Sequence, residues 1–225
     1  MPDPQEREPH LQEDDLGLAL VADDLVLRAD FKHLMPRVRP DRLGQELVVR
    51  AARIKGADPV RPLTVIDATA GLGEDSFLLA AAGFTCTLYE RDPIIAALLR
   101  DALDRGSSDP ELAPILSRIE LVEGDSIPAL HERGESGKLP DVVLLDPMFP
   151  ARTKSALVKK KFQLLQQLER PCNDEEELLQ AALAAKPRKV VIKRPAKGPY
   201  LGGVKPDYSL SGKSVRYDCL VIARG

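Results

Sequence analysis

The pattern of apolar and polar positions changes period near residue 63. From there on, short apolar runs alternate with stretches in which apolar residues recur every three or four positions. The runs predict strands at 63–67, 85–90, 119–123, 141–146 and 189–193; the longer period predicts helices at 74–82, 93–105, 126–132, 154–169 and 174–186. Such alternation argues for an α/β fold, a mostly parallel sheet with helices on both faces. A last strand, 215–223, follows a Gly/Pro/Ser-containing loop rather than a helix, so it can enter antiparallel to its neighbours. Upstream, Leu16–Val21 and Leu25–Arg28 alternate around Asp23-Asp24 and read as a β-hairpin. Apolar positions 43, 47, 48, 51 and 54 predict a helix over 43–54, with Gly56 as its stop. Residues 1–14 are rich in Pro, Glu and Asp and read as disordered. The chain is thus expected to comprise an acidic tail (1–15), a small hairpin-and-helix appendage (16–60) and a main domain (61–225).

At 225 residues and 44% hydrophobic, the chain can bury a full core in one domain with an appendage. The net charge of −3 announces no partner, but its distribution is uneven. Residues 1–15 hold six acids against Arg7 alone, and residues 186–216 hold nine bases against Asp207 alone. Arg152, Lys154, Lys159, Lys160 and Lys161 add five bases with no acid among them. Charge runs are most often solvated faces; these flank the ends of predicted strands, which favours an anionic partner. Cys86, Cys172 and Cys219 fit neither a metal spacing nor a disulfide framework, so a reducing, cytoplasmic setting and no bound metal are expected. The polar N-terminus does not read as a signal peptide, and no apolar run is long enough to span a bilayer.

Three strand ends carry the chemistry. The first is Thr64-Val-Ile-Asp67-Ala-Thr-Ala-Gly71-Leu-Gly73, an apolar strand that closes on an acid and enters a Gly-x-Gly turn before a helix. Glycine lets the backbone approach a ligand, and a helix start presents free N–H groups. Alone the turn is weak evidence, since Ser76 is a poor third glycine for a dinucleotide fingerprint. The second end is Glu90, 19 residues after Gly71, where an acid accepts hydrogen bonds from ribose hydroxyls in such folds. As a purely structural residue it would be an exposed strand-end charge. Gly124-Asp125-Ser126 closes the next strand. Either side chain would cap the following helix; both roles fit if Ser126 caps and Asp125 faces an adenine amino group.

The third end is Asp146-Pro147-Met148-Phe149. Acid–Pro–x–aromatic after the fourth strand is the layout of enzymes that methylate exocyclic amino groups of nucleobases. An aromatic amine is a poor nucleophile because its lone pair is delocalised into the ring. A carboxylate and the Pro147 carbonyl, accepting its N–H hydrogens, localise that pair, and Phe149 stacks on the base. The alternative is a Pro-fixed turn with a core phenylalanine.

With these motifs, Lys154-Ser-Ala-Leu-Val-Lys-Lys160 and Val191-Ile-Lys-Arg-Pro195 complete a pattern that resembles the ribosomal RNA small-subunit methyltransferase J family over roughly residues 16–223. The resemblance implies a Rossmann-like methyltransferase that uses S-adenosylmethionine to methylate the 2-amino group of a guanine in 16S ribosomal RNA, naked or in a 30S assembly particle. It also implies cofactor contacts at Glu74, Asp75, Glu90, Arg91, Asp125, Ser126 and Asp146, beside Asp67, Gly71 and Gly73 of the turn. Thr69 stands where many methyltransferases carry a further glycine. The expected RNA contacts are Arg152, Lys154, Lys159, Lys160, Lys161, Lys193 and Arg194. Two other readings remain at this point: an NAD-type oxidoreductase using the same turn, and an inactive RNA-binding module.

Overall fold

The computed structural model describes residues 9–23, 25–147 and 175–223. The first described strand, β1 (His10–Asp14), pairs antiparallel with β2 (Gly17–Ala22), which pairs in turn with β3 (Leu25–Leu27). The expected hairpin is therefore two strands of a three-stranded sheet, and the expected tail is shorter by the length of β1. Every β1 side chain is exposed, so no alternation marked it; main-chain pairing holds it to β2, helped by Arg28, which clasps both Asp14 oxygens at 2.7 Å.

A 3-10 turn at Lys32–Arg37 leads to two short helices, α1 (Pro40–Leu43) and α2 (Leu47–Ala52), in place of the single helix expected over 43–54. The break has a visible cause. Arg37 donates two hydrogen bonds to the Glu46 carboxylate, at 2.9 and 2.7 Å, and Glu46 takes an extended backbone that starts α2 afresh.

The main sheet then builds in the expected alternation: β4 (Thr64–Asp67), α3 (Glu74–Ala81), β5 (Thr85–Glu90), α4 (Pro93–Ser107), a short α5 (Ala113–Leu116), β6 (Ile119–Glu123), α6 (Ser126–Ser136), β7 (Val142–Leu145), α7 (Glu175–Ala184), β8 (Lys189–Pro195), β9 (Tyr208–Ser211) and β10 (Val215–Val221). Strand order is β6-β5-β4-β7-β8-β10-β9. The first five in that order run parallel, while β10 enters antiparallel between β8 and β9. The chain winds outward from β4 in one direction and from β7 in the other, so the topological switch lies between those two strands. The helix expected over 154–169 lies outside the described residues. Strand β9 escaped the sequence reading because it is short, largely exposed and set in a Gly- and Pro-rich loop.

Both sheet faces are covered, and every residue of β7 is buried, as a central parallel strand requires. The N-terminal segment shares this core. Leu20, Leu27, Ala29, Phe31 and Leu34 pack in one cluster with Phe77, Leu98 and Leu99, and Phe31 stacks on Phe77 at a centroid distance of 4.9 Å. The Lys189 ammonium, buried at the start of β8, donates to the carbonyls of Ala51 and Arg53 and ties α2 to the sheet. Among the described residues, no helix is long and apolar enough to cross a membrane.

The end of the sheet remote from the strand-end acids is fastened by Asp141, 1% exposed. Its carboxylate accepts from Arg61 at 2.8 and 2.9 Å, from the Thr64 amide at 2.9 Å and from the Thr64 hydroxyl at 3.2 Å, stitching β7 to the start of β4. Desolvation pushes its pKa up, but the Thr64 amide and Arg61 outweigh it and hold the carboxyl below 3.8. Asp141→Ala should cost roughly 2–3 kcal/mol at neutral pH, since charged hydrogen bonds are lost and the half-buried Thr64 amide is left without its acceptor. A depressed acid stabilises the fold above its unfolded pKa and stops doing so as pH falls through its folded one. Urea unfolding should therefore show the gap between wild type and variant closing below about pH 4; a gap constant from pH 7 to pH 3 would refute the clamp.

Candidate functional site

In open α/β sheets, ligands bind outside the carboxyl ends of the strands, at the switch point. Here that place is the crevice above β4 and β7, and the strand-end acids converge on it. The chain leaves β4 at Asp67 and turns back on itself. Ala68 N–H donates to Leu144 O and Ala70 N–H to Tyr89 O, both at 3.0 Å, so the turn is strung between β7 and β5. Gly71 and Gly73 both take positive φ, 55° and 75°. At Gly73 a Cβ would also stand 2.9 Å from Leu99 Cδ1, so only glycine lets α3 start this close to α4. At Gly71 nothing lies within 4 Å of a Cβ position, and the turn there faces open space.

Glu90 ends β5 and is 7% exposed. Its Oε2 accepts from Gly71 N–H and its Oε1 from Asp92 N–H, both at 2.8 Å. The 19-residue spacing thus has a physical meaning: the acid braces the glycine turn. Each oxygen keeps a lone-pair direction for a hydroxyl donor, so bracing and ligand binding coexist. Burial raises the Glu90 pKa, and its backbone donors oppose the rise.

Asp67 lies beneath the turn. Ser76 Oγ donates to it at 2.6 Å and the Thr69 amide at 3.2 Å, and burial pushes its pKa up to about 7. Thr69 stands at the site of the missing glycine and makes a contact that glycine could not. Its Oγ1 accepts the Asp146 N–H at 2.6 Å, which fixes the first residue past β7 against the turn. The Asp146 side chain is 39% exposed to the crevice, yet its walls strip enough water that desolvation raises its pKa; Lys193 opposes the rise. Pro147 beside it is buried.

Several expected roles change. Lys193 does not face outward as an RNA contact. Its Nζ stands 2.9 Å from Asp146 Oδ2 and 3.0 Å from Asp75 Oδ2, and Tyr217 OH donates to that same Asp75 oxygen at 2.9 Å. Arg194 is 1% exposed, with its guanidinium held by the Pro199 carbonyl and Glu175, so it cannot reach an RNA backbone either. Lys189 and Arg216 are likewise buried, the latter on Asp218 and four carbonyls. The base-rich stretch 186–216 is therefore in good part internal wiring, with Lys186, Lys197, Lys205 and Lys213 left on the surface. The capping roles at α6 are reversed: Asp125, exposed, accepts the Ile127 amide at 2.9 Å as N-cap, and Ser126 is buried in the first turn. Glu74 sits at the rim, half-exposed and 3.4 Å from His33 Nε2, and Arg91 is exposed beside Glu90. Phe149, Arg152, Lys154, Lys159, Lys160 and Lys161 lie outside the described residues.

The crevice thus gathers Asp75, Glu90 and Asp146 over the buried Asp67, and one ammonium, Lys193, bridges Asp75 and Asp146. Its chemistry suits a ligand with a cationic centre and ribose hydroxyls. It is hostile to a dinucleotide's pyrophosphate, whose negative charge these acids would repel.

A family model described as putative SAM-dependent methyltransferase matches residues 4–222. Over 168 residues the chain is 52% identical to the ribosomal RNA small subunit methyltransferase J of Pseudomonas aeruginosa (strain UCBPP-PA14), covering 74% of this chain and 63% of that protein. With the protein of the same description from Pseudomonas fluorescens (strain SBW25) identity is 49% over 173 residues, 77% of this chain and 65% of the relative. The chain thus spans just under two thirds of the length of these curated relatives. A crystal structure of a SAM-dependent methyltransferase from Neisseria gonorrhoeae is similar with a TM-score of 0.77 and 32% identity, covering 99% of this chain and 86% of that one. The rRNA methyltransferase aviRa from Streptomyces viridochromogenes shares the fold alone, with a TM-score of 0.51 and 17% identity.

The buried Asp67 makes a pH test possible. Its carboxyl titrates at 3.8 when unfolded and at about 7 when folded, so the folded chain holds the proton more tightly. Its contribution to stability is therefore greatest at low pH and declines as pH rises from about 4 to 7. Asp67→Asn removes this titration. The melting temperature of wild type relative to Asp67→Asn should fall between pH 4.5 and pH 7.5; a difference that stays flat, or rises, would contradict the burial assigned to Asp67.

Proposed function

We propose, from the premise that this chain belongs to the family of putative SAM-dependent methyltransferases, that it methylates the exocyclic 2-amino group of a guanine in small-subunit (16S) ribosomal RNA. The observation that carries this reading is Asp146. It follows the end of β7 at the switch point, its N–H pinned to Thr69 and its carboxylate open to the crevice beside Lys193. S-adenosylmethionine, when bound, supplies an electrophilic methyl group on a cationic sulfur.

The residues present fit that group. Glu90 keeps acceptor capacity for ribose hydroxyls, the open face of Gly71 admits a close ligand, and the carboxylate of Asp146, open to the crevice, favours a sulfonium. Asp125 at the head of α6 and Arg91 are placed near the adenosine end in this reading, with Glu74 at the rim. Asp146 accepts one amine N–H of the guanine and the Pro147 carbonyl a second, which aims the nitrogen lone pair. S-adenosylmethionine would supply the methyl, with the C–S electron pair staying on sulfur, and the aimed nitrogen would pass its surplus proton to the Asp146 carboxylate that accepts that N–H. Positioning and a fixed charge supply the catalysis; no metal and no covalent enzyme intermediate are required. Phe149 stacks on the base, and the bases between 152 and 161 hold the RNA backbone. A guanine in a duplex must be unstacked to enter. The substrate is ribosomal RNA, free or within a 30S assembly particle, which sets the work in the cytoplasm.

Asp146→Ala should slow single-turnover methylation by about two to three decades, the worth of a preorganised charged contact of roughly 3–4 kcal/mol. Asp146→Asn, which keeps the shape and one acceptor, should be less impaired. The assay uses small-subunit RNA lacking the mark, with nucleoside mass analysis of the product; a near-normal rate for folded Asp146→Ala, or methyl on a nucleoside other than guanosine, would overturn this reading. Glu90→Ala should weaken S-adenosylmethionine binding by roughly 1–3 kcal/mol in calorimetry. It should also lower the melting temperature, because Gly71 and Asp92 lose their brace. Unchanged affinity would remove Glu90 from the cofactor site.

A further inference from the structure

Strand β8 delivers to the crevice an ammonium group that the mechanism above does not use. Lys193 Nζ bridges Asp75 Oδ2, from the first turn of α3, and Asp146 Oδ2, past the end of β7. Tyr217, on β10, anchors the same Asp75 oxygen through its hydroxyl. Parallel pairing of β7 with β8 sets Leu145 opposite Ile192, so the next residues, Asp146 and Lys193, are neighbours by register. The bridge is thus built from four separate elements and is only 27% exposed at the lysine.

We propose that Lys193 is a positioning residue of the methyl-transfer site: by bridging Asp75 and Asp146 it keeps Asp146 ionised and occupies its Oδ2, which leaves Oδ1 to receive the amine of the substrate base. This rests on the reading of Asp146 as the acceptor for that amine. The groups facing Asp146 make the need plain. Desolvation and the negative charge of Asp75 favour its protonated form; Lys193, in direct contact, and Arg194 behind it oppose them. Asp67, below the turn, is a further acid in reach. A protonated Asp146 would turn one acceptor into a hydroxyl donor and would lose the charge that draws out the amine's electrons. A carboxylate at the end of a strand can also rotate; one oxygen held by a lysine that is itself tied through Asp75 to β10 cannot do so freely.

Lys193 stays charged to do this. Burial works against its ammonium form, but Asp146, Asp75 and Tyr217 outweigh it and raise its pKa well above 10.5. It is therefore no proton acceptor at working pH. To bind a phosphate instead, it would have to leave both carboxylates.

The test is a carbon-13 titration of aspartate carboxyls in the full chain, with the Asp146 signal assigned by its absence in Asp146→Asn, alongside the pH profile of single-turnover methylation. In Lys193→Met, or Lys193→Gln should the first variant not fold, the Asp146 midpoint should rise by a unit or more, about tenfold tighter proton binding. The acid limb of kcat should move up in step, while KM for RNA stays within about twofold. Lys193→Arg should restore both towards wild type. An unmoved midpoint, whether with a raised RNA KM and flattened salt dependence or with lost thermal stability alone, would make Lys193 a phosphate contact or a structural residue and overturn the proposal. The titration needs no turnover. Wild type that failed to methylate RNA would count against the proposed function, and the midpoint would still decide the role of Lys193.

Discussion

Four carboxyl groups meet at the carboxyl ends of β4, β5 and β7 and at the start of α3, and the rest of the site depends on keeping them apart in character. Like charges in a partly dry crevice disfavour one another. The structure answers with a different set of donors for each acid. Asp67 receives the Ser76 hydroxyl and the Thr69 amide; Glu90 receives the amides of Gly71 and Asp92; Asp75 receives Lys193 and Tyr217; Asp146 shares Lys193 and opens to solvent. Their environments therefore differ. Asp67 is shifted to about 7 and serves as a buried post under the turn, whereas Asp146, with an ammonium at its side, can present charge to a ligand.

This arrangement explains why the surrounding elements are built as they are. The glycine turn must lie close over Glu90, so it is strung by backbone bonds between β5 and β7 and needs left-handed glycines at 71 and 73. The N-terminal segment closes the outer side of α3 through Phe31 on Phe77. At the remote end of the sheet Asp141 fastens the start of β7 to the start of β4. The two strands of the switch point are thus clamped at one end by a depressed acid and linked at the other through Thr69 and Asp146. Asp141 and Asp67 respond to pH with opposite sign because one gains more from its partners than burial takes away and the other does not.

The alternation of apolar runs and helical periods made the parallel sheet legible, and each acid that closes a run, Asp67, Glu90 and Asp146, does stand at the crevice. What stayed hidden depends on register and burial. Lys193 and Arg194 sit in a base-rich run that composition reads as solvated, and only pairing of β8 with β7 turns Lys193 towards Asp146. The Val-Ile-Lys-Arg-Pro stretch carried the clue, since a lysine just past three apolar strand residues is at the same end as the acids. Asp125 and Ser126 are equally good caps by type, so the sequence could not rank them. Strand β1 buries no side chain, and the break between α1 and α2 comes from the Arg37–Glu46 ion pair, a contact that no periodicity reveals.

In the proposed function the switch-point crevice holds the methyl donor with its reactive end towards Asp146. A crystal structure of the chain grown with S-adenosylhomocysteine tests it most directly. The expected result is the ribose hydroxyls on the Glu90 carboxylate, the sugar over Gly71 and the sulfur facing Asp146, with the Lys193 bridge intact. A ligand bound in the crevice without touching Glu90, or bound elsewhere on the chain, would contradict it.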